Sequence, residues 1–103
     1  MKVNVLGILL DYEGKPKSDG ENQDLTWRSV FYNALNSIAP NEVQTAEEKQ
    51  KSYQLTLKIY QHNEIDLTLD DQVFILKRVE KIYNPLVCGR TAELFDNKES
   101  KVE

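Results

Sequence analysis

The stretch from Thr45 to His62, TAEEKQKSYQLTLKIYQH, constrains this chain more than any other, because it joins a well-marked helix start to an unusually wide apolar face. Thr45 stands three residues ahead of Glu48, the spacing at which a hydroxyl takes one orphan helix amide while the carboxylate reaches back to another. At about 100° per residue, Glu47, Lys51, Gln54, Lys58 and Gln61 share a narrow polar wedge. Tyr53, Leu55, Leu57, Ile59 and Tyr60 spread over more than half of the remaining circumference. Such a helix predicts cover on two sides, with the rest of the chain packed around it.

The flanking segments supply candidates for that cover. Met1–Tyr12 alternates at Val3 and Val5 and then runs apolar through Leu6, Ile8, Leu9 and Leu10, which favours a strand. Gly14 and Pro16 place a turn after it, with a short return near Lys15–Lys17. Ser18–Asp24 holds no apolar side chain and reads as a solvated loop. A first helix is expected over 25–38, capped by Asp24 or Thr26, with Trp27, Val30, Phe31, Ala34, Leu35 and Ile38 on its core face; Pro40 ends it. A third helix is expected from Thr68 or Leu69 to Tyr83, with Leu69, Ile75, Leu76, Val79, Ile82 and Tyr83 as its apolar arc. Asn84-Pro85 marks a break and a restart, giving a fourth helix over 86–95.

The expected fold is therefore mainly α (α+β): a short N-terminal β-hairpin followed by a compact bundle of about four helices. It forms one globular domain over 1–95, with the hairpin at 1–17, the helical part at 25–95, and a polar, frayed tail at 96–103. The 103 residues suffice for a modest core without disulfides or metal. A formal charge of -4 argues against general affinity for nucleic acid or anionic membrane, both of which reward clustered Lys and Arg. Cys88 is the single cysteine and no secretory leader pattern is present, so a reducing cytoplasm is the expected setting. No apolar run approaches the roughly 20 residues needed to span a bilayer.

Chemistry-bearing residues are sparse. Glu64, Asp66, Asp70 and Asp71 gather carboxylates, but the segment lacks the tight-turn glycine of a calcium loop, and helix-start electrostatics explain them better. His62, the only histidine, has no second ligand at metal spacing and reads as a surface or helix-end residue. Cys88 falls in the first turn of the fourth helix, where a dipole could lower a thiol pKa, yet Leu86 and Val87 beside it favour packing. Gly89 is expected to permit close helix contact. The break at Asn84-Pro85 suggests a helix-turn-helix with Arg90 and Thr91 at the groove, a reading weakened by Glu93 and Asp96. No catalytic residue, metal or cofactor is assigned.

DYEGKP at 11–16, LTWRSVFYNALNS at 25–37, YQLTLKIYQHNEIDLT at 53–68 and YNPLVCGRTAELF at 83–95 together resemble a family of small proteins encoded by tailed bacteriophages and prophages. That resemblance implies a non-enzymatic accessory or assembly protein in the bacterial cytoplasm, acting by binding a phage or host protein, with homo-oligomerisation left open. Two other readings stand beside it: an acidic inhibitor of a host nucleic-acid-binding complex, and a small DNA-binding regulator. The expected protein-binding site lies on the third helix, where Phe74 projects opposite the apolar arc, with Lys77, Arg78 and Lys81 as a basic rim that would steer an acidic surface. The competing reading has Phe74 covered within the same molecule.

Overall fold

In order along the chain the elements are β1 (Lys2–Asn4), α1 (Trp27–Asn36), α2 (Ala46–Gln61), β2 (Glu64–Asp66), α3 (Leu69–Ile82) and α4 (Pro85–Ser100). The structure, a computed structural model, describes the backbone of residues 1–100 and side chains as far as Asp96. Local capping sets the helix starts. Thr45 Oγ1 accepts from the Glu48 amide at 3.1 Å, and Glu48 Oε1 accepts from the Thr45 amide at 2.8 Å. Thr68 and Asp71 build the same box ahead of α3, Thr26 accepts from the Ser29 amide ahead of α1, and Asn84 Oδ1 accepts from the Val87 amide over Pro85. Because α4 continues to Ser100, residues 96–100 of the expected polar tail are helical. Residues 101–103 of that tail lie outside the described residues.

The mainly α (α+β) class holds, with four helices and a two-stranded antiparallel sheet. The N-terminal segment turns back where the glycine and proline place it: Asp11 Oδ1 accepts from the amides of Glu13 and Lys15, Gly14 takes a φ of 83°, and a single bridge joins Leu10 to Pro16. The regular ladder is made elsewhere. β1 pairs with β2, setting Lys2 opposite Asp66, Val3 opposite Ile65 and Asn4 opposite Glu64. This ties the chain start to the α2–α3 connection, a long-range pairing that short-range turn signals do not encode.

The packing hub is α1, where the sequence pointed to α2. Five of the ten residues of α1 are buried, against three of the sixteen in α2, and both α2 and α3 pack on α1. The start of α1 docks on the N-terminal segment: the Trp27 amide donates to Gly7 O at 3.0 Å and the Arg28 amide to Val5 O at 2.8 Å, so orphan helix donors are satisfied by a neighbouring strand-like backbone. Gly7 allows that approach, since a side chain there would come within 3.2 Å of Asn4 O and the Trp27 ring. Phe31 of α1 stacks on Phe95 of α4 at 6.0 Å and meets Trp27 at 5.6 Å. On the expected apolar faces of α1 and α3, two residues are exposed: Ile38 falls beyond the end of α1, and Leu69 opens α3 with its side chain in solvent.

Arg78 locks α1, the following loop and α3 together. Only 4 % exposed, it donates from Nε to Ala34 O at 3.1 Å, and its two terminal nitrogens reach Ser37 O and the Glu42 carboxylate. The loop that carries Glu42 closes on itself, with the Glu42 amide donating to Ala39 O and Asn41 at a φ of 65° after Pro40. The Lys81 ammonium, the Ala39 amide and the Arg78 guanidinium hold the Glu42 carboxyl down at about 2.

Removing the guanidinium leaves two carbonyls and a carboxylate without their donor, so Arg78→Ala should cost about 3–5 kcal/mol in urea unfolding. Glu42 has its pKa depressed by folding, so its contribution is complete above pH 4.5 and is lost as pH falls towards 2. A Glu42→Gln variant should therefore be less stable at neutral pH and show a shallower fall in melting temperature through that window.

Candidate functional site

The residues expected to bind a partner through α3 do not form one surface. Phe74 is half-buried and packs against the core, and the Lys51 ammonium of α2 lies 5.7 Å from its ring centroid. Lys51 is itself fixed by Asp71 at 3.3 Å. Burial pushes the Asp71 carboxyl up, and the Thr68 amide and hydroxyl together with Lys51 bring it below its ordinary value. Arg78 is turned inward, a correction to its expected place on the rim, because the carbonyls at the end of α1 need a donor more than solvent needs a cation. Lys81 is paired with Glu42 at 2.9 Å. Of the basic rim, only Lys77 remains beside Phe74, in a shallow groove of about 420 Å³ between the N-terminal halves of α2 and α3 that Glu47, Glu48, Lys51, Asp70 and Val73 also line. Cover for the ring comes from α2; among the described residues the N-terminal turn does not line this groove, and the end of the polar tail lies outside them.

Several groups that could carry chemistry are engaged in structure. Cys88 Sγ lies 3.6 Å from Val79 O and Tyr83 O, and burial, aided by Glu80, pushes its thiol pKa up, away from a nucleophilic thiolate. Thr91 is fully buried, with Oγ1 donating to Val87 O at 2.8 Å. Arg90 donates to Leu10 O and Asp11 O and pairs with Glu93, so neither residue of the expected helix-turn-helix is free to enter a groove. His62 is the C-cap of α2. Glu64 and Asp66 lie on β2 while Asp70 and Asp71 open α3; among the described residues no three His, Cys, Asp or Glu side chains gather to hold a metal ion. Gly89 is exposed, and a side chain there would meet no atom within 4 Å, so it does not serve close helix packing.

What the structure brings together is the outer face of α2. Leu55 and Ile59 point into the core, and on the opposite side Tyr53, Leu57 and Tyr60 are 59 %, 39 % and 56 % exposed. Ala46, Gln50 and Gln61 share this side, and Lys49 stands at its edge four residues before Tyr53. Tyr32 of α1 extends it, meeting Tyr60 edge-on at 5.3 Å, and Asn36 donates to Thr56 Oγ1 at 3.0 Å behind the two rings. At the end of α2, Arg28 donates to Ile59 O, His62 O and Asn63 Oδ1, satisfying carbonyls the helix leaves open, with its guanidinium 5.9 Å from the Tyr60 centroid. The width of the apolar face is evident from the sequence, but of its five residues only Leu55 and Ile59 are buried. The glutamines at 50, 54 and 61, interleaved with the tyrosines, are the signal that this side meets water.

A second apolar row lies on the N-terminal segment. Leu6, Ile8, Leu10 and Tyr12 alternate outward while Val3, Val5 and Leu9 alternate inward, and a hollow of about 270 Å³ between Ile8, Leu10, Trp27 and Leu94 adjoins them. No protein family, no curated protein and no solved structure matches this chain.

Stability should report these faces directly. Leu55→Ala should cost about 2–5 kcal/mol and Leu57→Ala under about 1 kcal/mol, and the half-buried Phe74→Ala should fall between them at about 1–2 kcal/mol. Equal losses at Leu55 and Leu57 in denaturant titrations would show that both sides of α2 are covered.

Proposed function

We propose that this protein has no chemistry of its own and acts by binding another protein through the outer face of α2. One observation carries the reading: Tyr53, Leu57, Tyr60 and Tyr32 form an exposed aromatic and apolar stripe directly opposite the side that α2 gives to the core. Large aromatic side chains immobilised by neighbours lose little entropy on docking and supply most of the energy of protein interfaces. The engagement of Cys88, Arg90 and Thr91 in packing and backbone hydrogen bonds supports a binding role over an enzymatic one or a DNA-reading one. The resemblance to small phage and prophage proteins supplies a setting, that of an accessory or assembly factor in the bacterial cytoplasm with a phage or host protein as partner.

A photo-cross-linking phenylalanine analogue at Tyr53, introduced into the full chain in bacterial cells, should give a discrete adduct that is absent when the analogue replaces Leu69, which is exposed on a different helix. Adding Leu57→Glu should leave the far-ultraviolet dichroism unchanged and remove the adduct. Adducts of equal yield from both positions would overturn the assignment of this face.

A further inference from the structure

The rim of the α2 stripe differs in sign from the molecule that carries it. The chain has a formal charge of -4. Yet Lys49 on one flank near the start of α2, Lys58 on the other, and Arg28 beyond Tyr60 at its end make no ion pair with any described carboxylate. Lys58 donates to Asp66 O with the Asp66 carboxylate nearby, and Arg28 uses its nitrogens on carbonyl and amide oxygens, so neither is in direct contact with a carboxylate. Glu47, in the first turn, and Asp66, beside Lys58 and paired with the Met1 amino group, are acidic neighbours. From Lys49 to Tyr60 the stripe runs about 17 Å along the helix axis, with Tyr53 and Leu57 between.

We propose that this face takes an acidic amphipathic segment of a partner protein: apolar side chains seated between Tyr53, Leu57 and Tyr60, and carboxylates about three helical turns apart reaching Lys49 at one end and Arg28 at the other. The inference rests on the protein-binding reading above and adds the chemistry of the partner. Charge complementarity at the rim sets approach and register, while the uncharged centre supplies the buried contact. A nucleic acid fits less well, because the stripe is aliphatic at Leu57, the cations are few, and the whole chain repels a polyanion.

The test is selection from a random displayed library of peptides about 16 residues long, enough for four helical turns. Binders are retained if they recognise the wild-type chain and are lost on a folded Leu57→Glu variant. The survivors should be net negative, with apolar residues at three- and four-residue spacing, and Lys49→Glu should weaken them by roughly tenfold or more. Survivors that are neutral or basic, or indifferent to Lys49→Glu, overturn the acidic partner while leaving a protein-binding face in place. A library that yields no peptide distinguishing wild type from Leu57→Glu overturns both. Displacement of the selected peptides by oligothymidylate at about 0.15 M salt would reassign the face to single-stranded nucleic acid.

Discussion

A single buried guanidinium ties the helical part of this protein together. Arg78 reaches from α3 to the last carbonyls of α1, where a helix end otherwise leaves acceptors unsatisfied, and to a carboxylate on the loop that leads into α2. Burying a charge is costly unless its donors find partners, and here the partners come from the end of α1 and the loop that follows it. The position of α3 on α1 and the path of residues 37–42 are thus fixed by one set of hydrogen bonds. Lys81 and the Ala39 amide then hold Glu42 in its ionised form.

With α1 gripped in this way, its apolar face is consumed on several sides at once. The N-terminal segment caps its start, α2 and α3 flank it, and Phe95 of α4 covers Phe31. A ten-residue helix cannot also wrap the whole of a longer neighbour. So α2 lays Leu55 and Ile59 against α1, and its opposite side is left in solvent with Tyr60 held by Tyr32 and Arg28. The exposed stripe follows from the geometry of the hub.

The titratable side chains divide along the same lines. Asp11 folds a turn, Asp71 closes a capping box and Glu42 anchors Arg78, and backbone amides or cations hold each of these carboxyls below its ordinary value. Cys88 and Tyr83 are pushed the other way by burial. Perturbed groups in a cleft would mark a reactive site; here each is explained by burial or by a specific structural bond.

The sequence by itself determined what depends on neighbours within a few residues. The capping boxes at Thr45 and Thr68, the asparagine and proline that start α4, the turn at Gly14 and the end of α1 before Pro40 all follow from local hydrogen-bonding capacity and backbone sterics, which a short window contains. So does the existence of four amphipathic helices. Tertiary structure alone decided which of the apolar faces meet each other. Periodicity shows that Leu55 and Leu57 lie on different sides of α2 but not which side finds α1, and it shows Arg78 on the polar side of α3 without showing that α1 would end beside it with carbonyls to satisfy. The pairing of β1 with β2 and the inward turn of Arg78 both arise from contacts between distant parts of the chain, whose energies depend on what is left uncovered once α1 is packed. For the same reason the candidate site moved from Phe74 to Tyr53, Leu57 and Tyr60: exposure is a property of the assembled fold, settled by how much neighbouring surface is available to cover each face.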